Sequence, residues 1–535
     1  MTPSTLRSRT QEGGAAQGRP MIQALLATLL LAAATAAAPG AQRAGERPPN
    51  IILVVADDLG WGDIGAYGHP TIRTPHLDRI AVEGQKWTTF YSGAPYCTPS
   101  RAGLLTGRLP VRSGLASETR TVLFADSLGG LPQSEVTIPE LLKGRGYATA
   151  MMGKWHLGHL PQYQPEHHGF DLYFGIPFSN DMEAVPGSPP DRIQRPKSEY
   201  FNVPVYSGGK IVERPAQQST LTQRYVEKSV AFIKANRDRP FFLYIAHHMP
   251  HVPLFAHHEF EGRSARGPYG DVIEEIDAGV GRLRAVLAEL SLDRNTLIVF
   301  TSDNGPWLVQ RDLGGSSGPF RDGKGTTFEG AVRVPALFLW PGTIKPGVVI
   351  EMGAFFDLLP TFAAMAGVPV PSDRVLDGYD LTSVLRGTGR SPRPTYFYYR
   401  GSLLQAVRSG AFKLHFFTRP EGHDKAPERV DPPWLFNLDH DPSEQFDVAR
   451  DHPEVLTELR RLAEEHKSGV VPVEDQIAKR AARRQCADPP PSLRSRPRNL
   501  YSQFSATIFT DSTCTIGGLR AFGLGSVPSS GGFGS

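Results

Sequence analysis

Cysteine is scarce in this chain: Cys97, Cys486 and Cys514 are the only three among 535 residues. Three thiols cannot supply the cross-linked framework of small secreted scaffolds, so stability has to come from a hydrophobic core, and an odd count leaves at least one thiol to be explained. Cys486 and Cys514 lie in a tail, where they either pair or stay free, which singles out Cys97. Excess charge is missing too. With 57 Lys and Arg against 54 Asp and Glu the formal net charge is +3, and that balance gives no support for a basic surface tracking a phosphate backbone. Nucleic acid is therefore not an expected partner. Hydrophobic residues at 40% and charged residues at 21% exclude a wholly disordered or coiled-coil chain. No internal repeat is found, and beyond residue 38 no apolar run reaches membrane-spanning length.

The one long apolar run, residues 21–38, is rich in Ala and Leu, preceded by Arg7, Arg9 and Arg19, and followed by a polar stretch. That is the layout of an export signal, with Ala36, Ala37 and Ala38 as small residues for cleavage and Met21 as an alternative start. A retained single-span anchor and a buried helix are the other readings. The weak hydrophobicity of Ala and the lack of a basic stop-transfer cluster favour cleavage, hence a periplasmic or secreted protein with no stable membrane span.

From Asn50 onward, apolar runs at 51–56, 241–246, 297–302 and 336–340 alternate with segments such as 137–145 and 271–290, where apolar residues recur at helical spacing. The runs are expected to be buried parallel strands, and the pattern is α/β with helices covering a central sheet. After the polar stretch 391–394, residues 395–399, 406–408 and 412–417 are expected to form short strands of a smaller antiparallel unit, closed by a helix near 453–466. The expected organisation is an export signal and linker at 1–48, a catalytic domain at 49–390, a smaller subdomain at 391–480, and a disordered tail at 481–535.

Two of the apolar runs end in oxygen-bearing side chains. Residues 51–56 run into Asp57 and Asp58, and residues 297–302 into Asp303 and Asn304. Adjacent carboxylates repel, so they need either solvent or a hard cation such as calcium or magnesium. Either pair alone is weak evidence, since Asp-Asn-Gly is also an ordinary turn sequence; together they supply four oxygen-bearing side chains at one edge of a sheet, where α/β folds bind ligands. Between them lies Cys97-Thr98-Pro99-Ser100-Arg101, followed by a short apolar helix expected to begin near Pro99 or Ser100 and by Thr106-Gly107-Arg108. A helix starting there would aim backbone N–H groups at an anion.

This C-x-P-S-R segment resembles the signature of the type I, formylglycine-dependent sulfatases, in the arylsulfatase A and N-acetylgalactosamine-6-sulfatase branch of the alkaline phosphatase superfamily. The resemblance extends in order from Pro49 to about Glu465. It includes Gly153-Lys154-Trp155-His156-Leu157-Gly158, Ser179, His251-Val252-Pro253, and the element around Lys324. It implies an alkaline-phosphatase-like sandwich with a large mixed, mostly parallel sheet, and a nucleophile made from Cys97 by a formylglycine-generating enzyme. It also implies one Ca2+ held by Asp57, Asp58, Asp303, Asn304 and modified Cys97, with Lys154, Lys324 and Ser179 binding substrate. Arg101, His156, His251 and Asp303 are the implied catalytic residues: Arg101 fixes the nucleophile, Asp303 is the base, His251 faces the leaving oxygen, and His156 takes a proton during sulfate release. His247 and His248 lie close enough in sequence to trade roles with His251. The rival readings are a phosphate or phosphonate monoester hydrolase of the same superfamily and an inactive sulfatase-like binding protein.

Overall fold

Ile51, Leu53 and Val55 are buried in one apolar cluster while Ile52, Val54 and Ala56 are buried in another, so this strand is covered on both faces. In the computed structural model, which describes residues 47–418 and 426–481, strand β1 (Asn50–Ala56) lies inside a ten-stranded sheet. The export-signal run and the tail carrying Cys486 and Cys514 lie outside the described residues. Parallel to β1 on either side run β3 (Phe241–Ala246) and β4 (Thr296–Ser302), and β2 (Ala148–Gly153) continues the parallel set beyond β3. One face is packed by the helices Pro75–Glu83, Leu221–Ala235 and Pro268–Glu289 through residues such as Leu77, Tyr225 and Ile276. The other is packed by Cys97–Thr106 and Leu358–Ala366 through Leu104, Leu105 and Phe362. Each fully buried aliphatic side chain there contributes about 1.5–3 kcal/mol by leaving water.

The sheet is mixed at its margins. Strand Ala336–Leu339 runs antiparallel to both β4 and Gln85–Trp87, against the parallel direction expected for it. A continuous apolar run reports coverage on both faces and carries no information on direction. At the far side, Val205–Ser207 pairs antiparallel with Leu172–Gly175 and with the edge strand Lys210–Glu213.

Thr395–Arg400, Leu403–Ser409, Phe412–Thr418 and Glu428–Asn437 form a separate antiparallel meander with helix Pro453–Ser468. The fourth strand was not expected, because Pro432 and Pro433 break its pattern; at a sheet edge a missing N–H does no damage. A buried ionic network docks this meander. Lys413 Nζ lies 3.1 Å from Glu329 and 2.9 Å from Glu444, and His415 Nε2 lies 2.8 Å from Glu444. Glu329 also accepts from Tyr398 (2.6 Å) and Tyr91 (2.7 Å).

Two outcomes test this packing. Lys413→Met removes the cation shared by two buried carboxylates and should cost about 3–5 kcal/mol in denaturant unfolding. Burial pushes the Glu275 carboxyl up to about 7, and its Oε1 has no hydrogen-bond partner. The folded state therefore holds that proton more tightly than the unfolded chain, and stability falls as pH rises from about 4.5 to about 7. Glu275→Gln should flatten the pH dependence of the thermal midpoint over that window.

Candidate active site

Strand register builds the site. Ala56 is level with Ser302, and Gly153 with Ala246, so the residues that follow β1, β2 and β4, namely Asp57, Lys154 and Asp303, emerge together at one carboxyl edge. Gly153 has to be glycine: a Cβ there would lie 1.9 Å from the Ala246 carbonyl oxygen. Gly60 is constrained likewise, 2.1 Å from the Ser316 oxygen, which folds the loop after Asp58 tightly inward. Asp58 (φ 66°) and His156 (φ 60°) adopt left-handed conformations that cost side-chain-bearing residues about 1–3 kcal/mol and cluster at functional sites.

Helix α1 (Cys97–Thr106) begins at Cys97, two or three residues earlier than expected. Pro99 fits its first turn, where no N–H is needed. All ten residues of α1 are buried. Ser100 locks it to the end of β4, accepting from Gly93 N (3.0 Å) and donating to the Asp303 carbonyl (2.5 Å). Thr98 donates to the His156 carbonyl at 2.9 Å.

The residues implied as catalytic, substrate-binding or metal-holding are brought together here, and His247 and His248 are not. The Cys97 thiol donates to Asp57 Oδ1 at 3.3 Å, and Lys324 Nζ reaches Cys97 Sγ at 3.3 Å and both Asp58 oxygens at 2.6 and 2.8 Å. Lys154 Nζ donates to Asp57 Oδ2 (2.5 Å) and Ser179 Oγ (2.7 Å). Arg101 donates through Nε to Asp303 Oδ2 (2.9 Å) and through Nη1 to the Lys154 carbonyl (2.7 Å). Asn304 Nδ2 donates to Asp58 at 2.7 Å, and His251 Nε2 stands 3.8 Å from Asp58 Oδ2. His247 and His248 are buried rather than solvated and pack near Tyr225, whereas His251 lines the cavity.

Three buried carboxylates face three buried cations. Burial pushes the Asp57 carboxyl up, but Lys154, His251, Arg101 and Lys324 overcome it and hold the group well below its usual range. Burial and the Asp57 charge push Asp303 up to about 7 despite Arg101. Burial, with Asp57 adding to it, raises the Cys97 thiol, so the encoded cysteine is held neutral. Burial depresses both His156, aided by Lys154, and His251, aided by Lys324. The tautomers follow from the partners: His156 Nε2 lies 2.8 Å from the Leu123 carbonyl and carries the proton, leaving Nδ1 as an unpartnered acceptor. His251 Nδ1 lies 2.6 Å from the Val252 carbonyl, leaving Nε2 toward Asp58.

The donors suit a hard divalent cation. Asp57, Asp58, Cys97 and Asp303 offer atoms within 4.8 Å of one another, and the buried Asn304 Oδ1 has no hydrogen-bond partner. A set dominated by oxygens is the coordination of calcium or magnesium.

Above the cluster lies a cavity of about 420 Å3 lined by Cys97, His156, Ser179, His251 and Lys324. Its walls include Val122, Met182, Trp307, Tyr399 and Arg400. These wall residues, and the bracing by Thr98 and Ser100, were not singled out from the sequence; only Thr98 and Ser100 had a local signal, their place beside Cys97.

The sulfatase family model matches residues 49–368, and that of the C-terminal region of aryl-sulfatase matches residues 391–493. The chain is 44% identical over 449 residues to arylsulfatase A of Homo sapiens, covering 78% of this chain and 87% of the relative. It is 41% identical over 489 residues to N-acetylgalactosamine-6-sulfatase of Canis lupus familiaris, covering 84% and 91%. Among solved structures, the PsFucS1 sulfatase from Pseudoalteromonas sp. superposes with a TM-score of 0.71 at 31% identity, covering 84% of this chain and 94% of that one.

Asn304→Ala removes the unpartnered oxygen while leaving the three carboxylates. Calorimetric titration with Ca2+ should show affinity weakened roughly 10- to 100-fold.

Proposed function

The chain belongs to the sulfatase family, and from that premise we propose that it hydrolyses sulfate monoesters to an alcohol and inorganic sulfate. Its nucleophile is a formylglycine made from Cys97, and one calcium ion is held by Asp57, Asp58, Asp303, Asn304 and the modified residue. The observation that carries this reading is the position of Cys97, at the first turn of a buried helix, between Asp57 and Lys324, on the floor of the cavity.

A hydrated formylglycine supplies two hydroxyls on one carbon, one to attack sulfur and one to expel sulfate afterwards. Bound calcium supplies a Lewis acid toward a sulfate oxygen. The remaining work falls to the chain's own side chains. Lys154 and Lys324 serve the nonbridging oxygens of the sulfate group, and a divalent cation added to three carboxylates and three cations leaves the site net positive. That excess favours an anionic ester, and more so the transition state, in which charge moves onto the leaving oxygen. Arg101 is committed to Asp303 and the Lys154 carbonyl, so it holds the base in place. Asp303 accepts the proton of the attacking hydroxyl. The departing alcohol takes its proton from the Lys324 ammonium, with the unprotonated His251 Nε2 placed to relay it. His156 Nδ1 takes the proton from the second hydroxyl, because its Nε2 is occupied by Leu123. Ser179 orients Lys154.

Among the described residues one acidic cluster suits a metal ion, which favours a single-ion sulfatase over a two-zinc phosphatase. The nucleophile and all ligand positions are present, which disfavours an inactive binding protein. The N-terminal apolar run, with its basic lead and small residues for cleavage, supports export to the periplasm or medium; among the described residues no helix is long and apolar enough to cross a membrane. Maturation of Cys97 would require a formylglycine-generating enzyme.

Peptide mass spectrometry across Cys97 after co-expression with that enzyme should show sulfur replaced by an aldehyde. Sulfate release from an aryl sulfate should then be abolished by a chelator and restored by Ca2+. An intact thiol together with no sulfate release would move the binding-protein reading ahead.

A further inference from the structure

Arg400 is the last residue of strand Thr395–Arg400 in the C-terminal meander, yet it lines the catalytic cavity with only 6% of its surface exposed. Its guanidinium spans two partners on different segments. Nε donates to the Gly325 carbonyl at 2.7 Å and Nη2 to the Tyr96 hydroxyl at 2.7 Å. Gly325 follows Lys324 and Tyr96 precedes Cys97. The same two segments are tied directly by Gly325 N donating to the Pro95 carbonyl at 3.0 Å. They approach so closely that a Cβ on Gly325 would lie 2.7 Å from the Tyr96 hydroxyl oxygen. The guanidinium thus fastens the loop carrying the Lys324 ammonium against the residue that leads into Cys97.

The meander is shaped to deliver this side chain. The register slips between Tyr398 and Tyr399, just before Arg400, and such a bulge re-aims the side chains that follow it. The chain then reverses through Gly401 (φ 59°) and Ser402, and this turn is pinned from outside the meander. Ser402 N, Ser402 Oγ and Leu403 N all donate to Glu118 Oε1, at 2.7, 2.9 and 3.1 Å. A Cβ at position 401 would lie 2.6 Å from the Ser117 carbonyl oxygen.

We propose that Arg400 is a positioning residue for the sulfatase reaction, a clamp from the C-terminal sheet that sets where the Lys324 ammonium stands relative to residue 97. It acts through Lys324 and touches no reacting atom. Its kinetic consequence rests on the sulfatase reading; its structural consequence does not.

Two measurements on the full chain separate these. In hydrogen–deuterium exchange, the Lys324 and Gly325 amides are protected by bonds to Pro306 and Pro95. Arg400→Ala should speed their exchange roughly tenfold or more while strand Leu403–Ser409 stays protected. In sulfate-release kinetics, the same change should lower kcat roughly 10- to 100-fold, the scale of a small misplacement of a catalytic group. KM should move less than about threefold, and in a Lys324→Ala background the further loss should shrink to about threefold or less. Unchanged exchange at 324–325 overturns the clamp, as does a full multiplicative loss in the Lys324→Ala background. If the parent protein releases no sulfate, the functional reading fails and the exchange result still decides the clamp. Arg400→Lys, with one donor centre in place of a two-armed fork, should give effects between parent and Arg400→Ala, and it carries both comparisons if the alanine variant does not fold.

Discussion

Three carboxylates buried at one sheet edge are an electrostatic burden that the rest of the molecule is arranged to meet. Asp57, Asp58 and Asp303 are almost entirely withdrawn from solvent, and an isolated buried carboxylate would take up a proton before it stayed charged. The compensation arrives from three directions. Arg101 comes from the helix crossing one face, Lys154 from the end of a neighbouring strand, and Lys324 from the loop after β4. No single segment holds both halves of the balance, so the site exists only when the sheet is assembled and the helix is seated.

The same balance ranks the charged groups by task. Arg101 has its hydrogen bonds directed at Asp303 and a backbone carbonyl, so its charge is spent on geometry. Lys324 lines the cavity, where its point charge can meet an anion, while Lys154 is fully buried and bonded to Asp57 and to Ser179, which does line it. The histidines are kept neutral by burial and by the nearby lysines, and each has one ring nitrogen committed to a backbone carbonyl. What remains is one defined lone pair on each, an arrangement suited to moving protons.

How much of this was legible in the sequence depended on whether a signal was local. Asp57 and Asp303 could be read because each directly follows an uninterrupted apolar run, and parallel strands deliver such residues to a common edge. Cys97, Lys154, His156 and Lys324 stood in segments specific enough to carry a resemblance. The direction of Ala336–Leu339 could not be read, since burial on both faces looks the same either way. Pro432 and Pro433 interrupt the alternation of the fourth strand of the meander, and α1 starts ahead of the expected Pro99 or Ser100 because Pro99 is a member of its first turn and not its opening. His251 is favoured over His247 and His248 by the proline two residues on, and it is the one of the three that lines the cavity. Arg400 was out of reach for another reason: its partner Tyr96 is 304 residues away, and nothing beside Arg400 in the sequence announces that pairing.

The cavity joins a floor and a wall of different origin. The floor is Cys97 at the start of α1, flanked by His156 and Lys324; the wall is made by loops around Val122, Met182 and Trp307 and by the turn of a second sheet. Inheritance can act on the two separately. The wall can accumulate substitutions and retarget the enzyme to a new alcohol while the floor passes on unaltered, which is how one chemistry diversifies within a fold. The turn at Arg400 is where that independence ends, because it is wall and brace at once. A substitution at this corner therefore alters the shape of the cavity and the hold on the Lys324 loop in one step.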